Sequence, residues 1–254
     1  MFTDEQFIAL EQEELEITDE AILVMLLILG GVKSNLEKEL RAFYQKYGRD
    51  GVVTYAEARK WISDKNHQKR LTALNLYLSG EFISASGRLK TELEKMLKSV
   101  IIKESGFFEV EIDVDAILKK KWGVDDATWL KRLEDDVDLW TVRISNDWKQ
   151  ALLRQQSLED VLAMLNKRFN SIESVIKTLG MSESTAVGSL ARQKIFNELG
   201  ITKYQFYTKP DERRCDQCGA MHGLIFPMSA YEVGVSAPPI HQRCRCFTVG
   251  IVED

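Results

Sequence analysis

No proline precedes Pro210 in this chain of 254 residues, and no cysteine precedes Cys215. Proline is the strongest breaker of helices, so its absence leaves helix formation unopposed over most of the chain. The same stretch is rich in Leu, Glu, Lys and Ala, which favour helix. Thr3 and Gln6 have the spacing of a capping box for a first helix. A second helix is expected to start after Thr18 and to carry the apolar run "AILVMLLILGGV" at residues 21–32. "YGRDGVVTYAEARKW" reads as a turn and then a new helix around Tyr55. A long helical pattern follows over residues 56–102, interrupted at Gly80 and Gly87. His67, alone in its polar part, is expected to face solvent.

From Ser105 the texture alternates. Phe108, Val110, Ile112 and Val114 interleave with Glu109, Glu111, Asp113 and Asp115, a period of two that predicts a strand or an extended linker. Beyond it Leu133, Val137, Trp140, Ile144 and Trp148 recur at helical spacing. Trp122 and Trp129 are grouped with Trp140 and Trp148 as helical core, and Asp135, Asp136 and Asp138 as a solvated face. Ser157 is the expected N-cap of an amphipathic stripe from Leu158 through Phe169 to Leu179, ending at Gly180. Ser182 is expected to open a further helix closed by Gly200. "KYQFYTK" and "CFTVGIV" read as short strands. The fold class is therefore mainly α. A helical N-terminal and central region precedes a small C-terminal α+β module resembling a zinc knuckle. The divisions are a helical region over 1–104, a linker or short strand over 105–121 and a second domain over 122–254.

Composition bounds the function. The formal net charge is −5 and the sequence pI about 5.5. An acidic chain is poorly suited to dedicated nucleic-acid binding, which needs Lys and Arg to displace counterions from phosphates. The first twenty residues are acidic and the first basic residue is Lys33, unlike the positive start of a secretory signal. The apolar run at 21–32 is too short to span a bilayer; it reads as a buried helix or an oligomer contact. These features predict no membrane span and a reducing cytoplasmic setting, where clustered cysteines bind metal more often than they pair.

All four cysteines and two of the three histidines stand near the C-terminus. Cys215 and Cys218 have the C-x2-C spacing of a knuckle, whose tight turn points two thiolates at one ion. Cys244 and Cys246 are two apart, which puts both side chains on one face of an extended strand, with Phe247, Val249 and Ile251 facing a core. His241 competes as a ligand in an H-x2-C arrangement. Soft donors in a tetrahedral set select Zn2+. Four of Cys215, Cys218, His241, Cys244 and Cys246 are expected to hold it, His222 being a weaker candidate; which four is left open. Four protein ligands close the site and make it structural. Arg213, Arg214, Arg243 and Arg245 flank the ligands. They either offset the thiolate charge and donate to sulfur or contact nucleic-acid phosphates. The H-x-E and P-C-x-x-C elements of a zinc deaminase are missing, since Gly223 follows His222 and Arg214 precedes Cys215. No phosphate loop, dinucleotide fingerprint, H-E-x-x-H or nucleophile elbow is present.

"DERRCDQCGAMHGLIFP" and "APPIHQRCRCFTV" resemble the phage Mu protein F-like family, also called the phage head morphogenesis or minor head protein family. The match rests on Asp211, Cys215, Cys218, Gly223, Phe226, Pro238, Pro239, His241, Cys244, Arg245 and Cys246. The helix from Ser182 is similar to the acidic-Thr helix that precedes the family's motif. His222 stands where family members often carry Asp. The resemblance covers roughly residues 122–252, with a metal clip over 211–248. It implies a non-enzymatic minor capsid protein of a tailed phage, made in the host cytoplasm and incorporated into the virion at the portal vertex, more than one copy per particle. Portal protein and major capsid or scaffolding protein are the implied partners, residues 1–104 supplying a contact. A role in DNA packaging or ejection is the finer implication. The alternatives are a DNA-binding adaptor using the arginines, or a nuclease using His222 or His241.

Overall fold

The computed structural model describes residues 3–54, 56–57, 65–209 and 212–252. Tyr55, Asp211 and the side chain of His67 lie outside the described residues. Helix dominates, as the sequence predicts. Six α-helices are described: α1 (Asp4–Tyr47), α2 (Lys65–Phe108), α3 (Val114–Leu118), α4 (Trp129–Leu153), α5 (Leu158–Glu198) and α6 (Asp216–Met221). Three short strands follow α5: β1 (Lys203–Tyr207), β2 (Ile225–Pro227) and β3 (Phe247–Ile251). The module containing them is the small α+β part. No helix among the described residues is long and apolar enough to cross a membrane.

Local chemistry explains the helix ends. Thr3 N–H donates to Gln6 Oε1 at 2.8 Å and Gln6 N–H to Thr3 Oγ1 at 3.3 Å, the expected capping box. Ser157 and Asp160 form a second one, with Asp160 N–H donating to Ser157 Oγ at 3.1 Å and Ser157 N–H to Asp160 Oδ2 at 3.2 Å. Gly200, with φ of 69°, closes α5: Ile201 N–H reaches Phe196 O at 2.9 Å and Gly200 N–H reaches Asn197 O at 3.2 Å. That pair of bonds is a Schellman motif.

The helix breaks expected at Thr18, Gly80, Gly87 and Gly180–Ser182 do not occur. α1 runs through Thr18, whose hydroxyl donates to Glu14 O at 2.8 Å inside the helix instead of capping a new one. α2 runs through Gly80 and Gly87, and α5 through Gly180 and Ser182. Of the two expectations for the alternation from Ser105, no strand forms, and residues 110–113 are an irregular link between helices. α2 continues to Phe108 and ends at Glu109, whose φ of 55° lets Val110 N–H reach Ser105 O at 3.1 Å. α3 then starts at Val114, with Asp113 capping Ala116 N–H at 2.9 Å. The turn at residues 47–52 forms as expected, with Arg49 and Val52 bridged and Asp50 and Gly51 at positive φ.

The chain divides into two compact units, neither continuous in sequence. One comprises Val24–Lys90 and Leu133–Ile176. Its core packs the stripe Met25, Leu29, Val32 and Leu36 of α1 with Phe82 and Leu89 of α2, the predicted α4 stripe, and Val161, Phe169 and Ile172 of α5, all buried. The apolar run at 21–32 is thus one-sided. Ile22, Met25, Leu29 and Val32 are buried, whereas Leu23 and Leu27 are exposed at 62% and 76%.

The other unit contains the described residues of Met1–Leu23, Thr91–Arg132 and Lys177–Asp254. Rings of Phe7, Phe108 and Phe196 pack in series, with centroids 5.7 and 5.6 Å apart. The turn before α4 is fastened by Arg132. Its guanidinium lies 4.2 Å over the Trp122 ring, donates to Asp125 at 2.7 and 2.9 Å, and meets buried Glu183 at 2.6 Å. Trp122 Nε1–H donates to the same Glu183 at 2.8 Å. Trp122 is therefore a half-buried loop clamp and not a helical core residue; Trp129, Trp140 and Trp148 are buried in α4. The sheet is antiparallel with β1 central, in the order β2-β1-β3. β1 pairs Tyr204 with Phe226 and Tyr207 with Phe247.

Candidate metal centre

The register of the sheet gathers the cysteines. Tyr207 at the end of β1 faces Phe247 at the start of β3, so the residues just before β3 and just after β1 emerge at the same end. Gly223 N–H donates to Phe206 O at 2.8 Å and Phe206 N–H to Leu224 O at 2.9 Å, returning the chain from α6 to that end. The φ of Gly223 is 81°, a conformation that favours glycine. α6 forms the knuckle. Cys215 is its N-cap, and its sulfur accepts Cys218 N–H at 3.3 Å.

All five expected ligands converge here. Cys215 Sγ and Cys218 Sγ each lie 3.2 Å from His241 Nε2, and Cys218 Sγ lies 3.9 Å from Cys244 Sγ. Cys246 completes a second group with Cys218 and Cys244. All four cysteines are free thiols. Cys218, Cys244 and Cys246 are buried against Phe206, with Met221, Phe226 and Ile240 around them. Cys244 and Cys246 precede β3 instead of standing in it, so convergence comes from the loop end and not from strand alternation.

The donors form two groups of three that share Cys218, and each group suits a soft cation. A tetrahedral zinc with bonds of about 2.3 Å to sulfur and 2.0 Å to nitrogen spaces its ligand atoms roughly 3.5–3.8 Å apart. The contacts of 3.2 and 3.9 Å span that range. His241 Nδ1 contacts Gln242 O at 2.8 Å, which fixes the ring with Nε2 toward the thiols. Hydrogen bonds from Cys218 and Cys246 pull Cys244 far below the usual thiol range. The same bonds, with burial, push Cys218 and Cys246 up. A cation would release those protons, because thiolate is the ligand form.

His222 stands apart from both groups. Its Nδ1 accepts Thr208 N–H at 3.1 Å, and its ring meets that of Tyr207 edge-on at 4.8 Å. Of the flanking arginines, Arg213, Arg214 and Arg243 are exposed and Arg245 is half-buried. Arg214 lies over Gly219 of the knuckle, and Arg243 Nε–H donates to Thr178 Oγ1 at 2.8 Å.

The sequence reading missed what holds the second ligand loop. Arg243 N–H donates to Ser182 Oγ at 3.1 Å, and Thr185 Oγ1–H donates to Cys244 O at 2.8 Å. With Thr178 they form one polar face of α5 at spacings of four and three. Hydroxyls at that spacing on one side of a helix are the signal in the sequence.

Comparison with known proteins agrees with this geometry. No curated protein and no solved structure matches the chain. The family model described as phage Mu protein F like protein matches residues 142–249, which include every converging Cys and His. Over that stretch the chain is similar to the phage Mu protein F-like family.

Proposed function

We propose that the protein is a minor head protein of a tailed phage, acting in head assembly by binding and not by catalysis. The observation that carries this reading is the family match over residues 142–249, joined to two groups of three Cys and His donors that share Cys218. Zn2+ is the metal proposed, held by Cys215, Cys218, Cys244 and His241. The chain of short contacts through Cys218 to His241 and Cys244 supports this set. Four protein donors leave no position for a reacting water, so the ion clips two loops to the end of a three-stranded sheet. Structural zinc supplies about 10–16 kcal/mol in small finger peptides. The cysteines are buried against Phe206, so an ion held there would add to the stability of the module.

The helical region over 1–104 is proposed to carry the contact with portal, capsid or scaffolding protein at the portal vertex. Exposed Leu23 and Leu27 of α1 support that assignment. Co-expression with the portal protein tests it. Co-purification that Leu23→Glu/Leu27→Glu abolishes is expected; retention of the complex by the doubly charged variant would remove the contact. One zinc per chain by elemental analysis is expected, and absence of metal from a folded, thiol-free-titrating protein sinks the clip. DNA binding that falls steeply with salt and with Arg213→Ala/Arg214→Ala would favour the adaptor reading instead.

A further inference from the structure

A second ionisable cluster lies in the unit that holds the metal centre, and the centre makes no use of it. Glu14 of α1 is 7% exposed, Glu104 of α2 fully buried, and Arg192 of α5 2% exposed. Glu11, one turn before Glu14, joins them. The three glutamates bring carboxylate oxygens within 4.8 Å of one another. Arg192 Nη2 sits 2.5 Å from Glu11 Oε1 and 2.7 Å from Glu104 Oε1, and Nη1 donates to Thr248 O at 3.3 Å. A Cβ on Gly188 would lie 3.5 Å from Glu104 Oε1 and 3.6 Å from Glu14 Oε2. The two carboxyl groups therefore meet over α5, one turn before Arg192.

The charges do not balance. Three carboxylates face one guanidinium, and buried charge without a partner is costly. Glu14 Oε1 and Glu104 Oε2 are buried with no hydrogen-bond donor, and Arg192 Nε, equally buried, has no acceptor. Ionised carboxylates only accept, so two that meet cannot bond each other unless one carries a proton. A divalent cation is the other way to balance the charge, but Arg192 Nη2 already occupies the position between Glu11 and Glu104. The remaining ionisable groups nearby do not supply the missing charge. The Tyr231 hydroxyl donates to Ser189 O at 3.0 Å, and Cys244 adds negative potential at Glu11. Lys103 pairs with Glu13 on the exterior, and Lys209 donates to Gln12.

We propose that Glu14 is held as a neutral acid that donates its proton to Glu104, forming a proton-dependent latch that fastens residues 4–23 of α1 to α2 and α5. Burial, then the charges of Glu104 and Glu11, hold the Glu14 carboxyl well above the usual carboxylate range, and burial raises Glu11 to about 7. A group raised in the folded state contributes stability at low pH and loses it as pH rises through the folded value. The latch is closed at low pH and weakens as pH rises, the more so once Glu11 beside it ionises at about 7.

Hydrogen exchange on the full-length, zinc-loaded protein tests this. After correction for intrinsic rates, exchange over residues 4–23 is expected to rise at least about tenfold between pH 6 and pH 8.5, one pKa unit's worth. Glu14→Gln, whose amide donates at every pH, is expected to abolish that rise. Equal protection at both pH values, or a rise that the variant shares, overturns the latch. So does protection restored at pH 8.5 by millimolar Mg2+ or Mn2+ in the wild type alone, which makes the cluster a cation site. Should the variant fail to fold, the 13C shift of the Glu14 carboxyl decides: protonated at pH 6.5 supports the latch, ionised overturns it.

Discussion

Cys218 touches both halves of the thiol cluster, with His241 Nε2 at 3.2 Å and Cys244 Sγ at 3.9 Å. Cys218→Ser should therefore lower bound zinc from one per chain to near zero and expose the remaining thiols. Elemental analysis and thiol titration read both effects. Cys246→Ser should keep the metal, because the proposed set does not need its sulfur. The cysteines were legible as a cluster because C-x2-C and H-x2-C are local patterns, with the turn and the ligands written within a few residues of one another. Glu14, Glu104 and Arg192 were not legible. Each looks like an ordinary solvated residue on a helix, and only tertiary packing brings them together from α1, α2 and α5. A hint does exist, since Glu14 and Thr18 occupy the buried positions between Leu10 and Ile22 in an otherwise apolar stripe.

Among elements, the caps were read more reliably than the breaks. A cap states its mechanism in one or two side chains, and the expected Thr3–Gln6 box and the expected Ser157 cap both form. Ser157→Ala should cost about 1 kcal/mol, the usual worth of an N-cap, measured as a lower urea midpoint with an unchanged slope. The missed continuations have a common cause. One glycine inside a helix costs only about 1 kcal/mol relative to alanine, and burial of the flanking stripe exceeds that easily. Gly80 and Gly87 follow this rule, since a Cβ on either would meet open space. The segment from Ser105 failed for another reason. Its alternation of Phe, Val and acidic residues suits a strand, but Phe108 is drawn into α2 by its contacts with Phe7 and Phe196. Period two is a weak signal when it covers a helix end and the cap that follows.

For the molecule as a whole, sequence order is a poor guide to compactness, because each unit is assembled from segments far apart in the chain. The prediction at this scale concerns metal removal. Chelation should raise hydrogen exchange across residues 203–252 while leaving residues 133–176 protected, since the latter have their own buried core. Loss of protection in both would show that the metal supports more than its own module. The fold class was legible because proline-free, Leu- and Glu-rich sequence has few alternatives to helix. The partition into units was not, because it depends on which helices pair, and no local pattern encodes that.

The spacing of the clip also governs how this region forms in time. Cys215 and Cys218 stand one turn apart, but Cys218 and Cys244 are separated by 26 residues and are brought together only when β3 pairs with β1. The knuckle can capture an ion while that loop is still open, and the ion then shortens the search for Cys244. If the proposed zinc clip forms, closure of the sheet is tied to metal supply: in stopped-flow refolding the β1–β3 phase should quicken with free zinc until the knuckle saturates, and the helical phase should be indifferent to it.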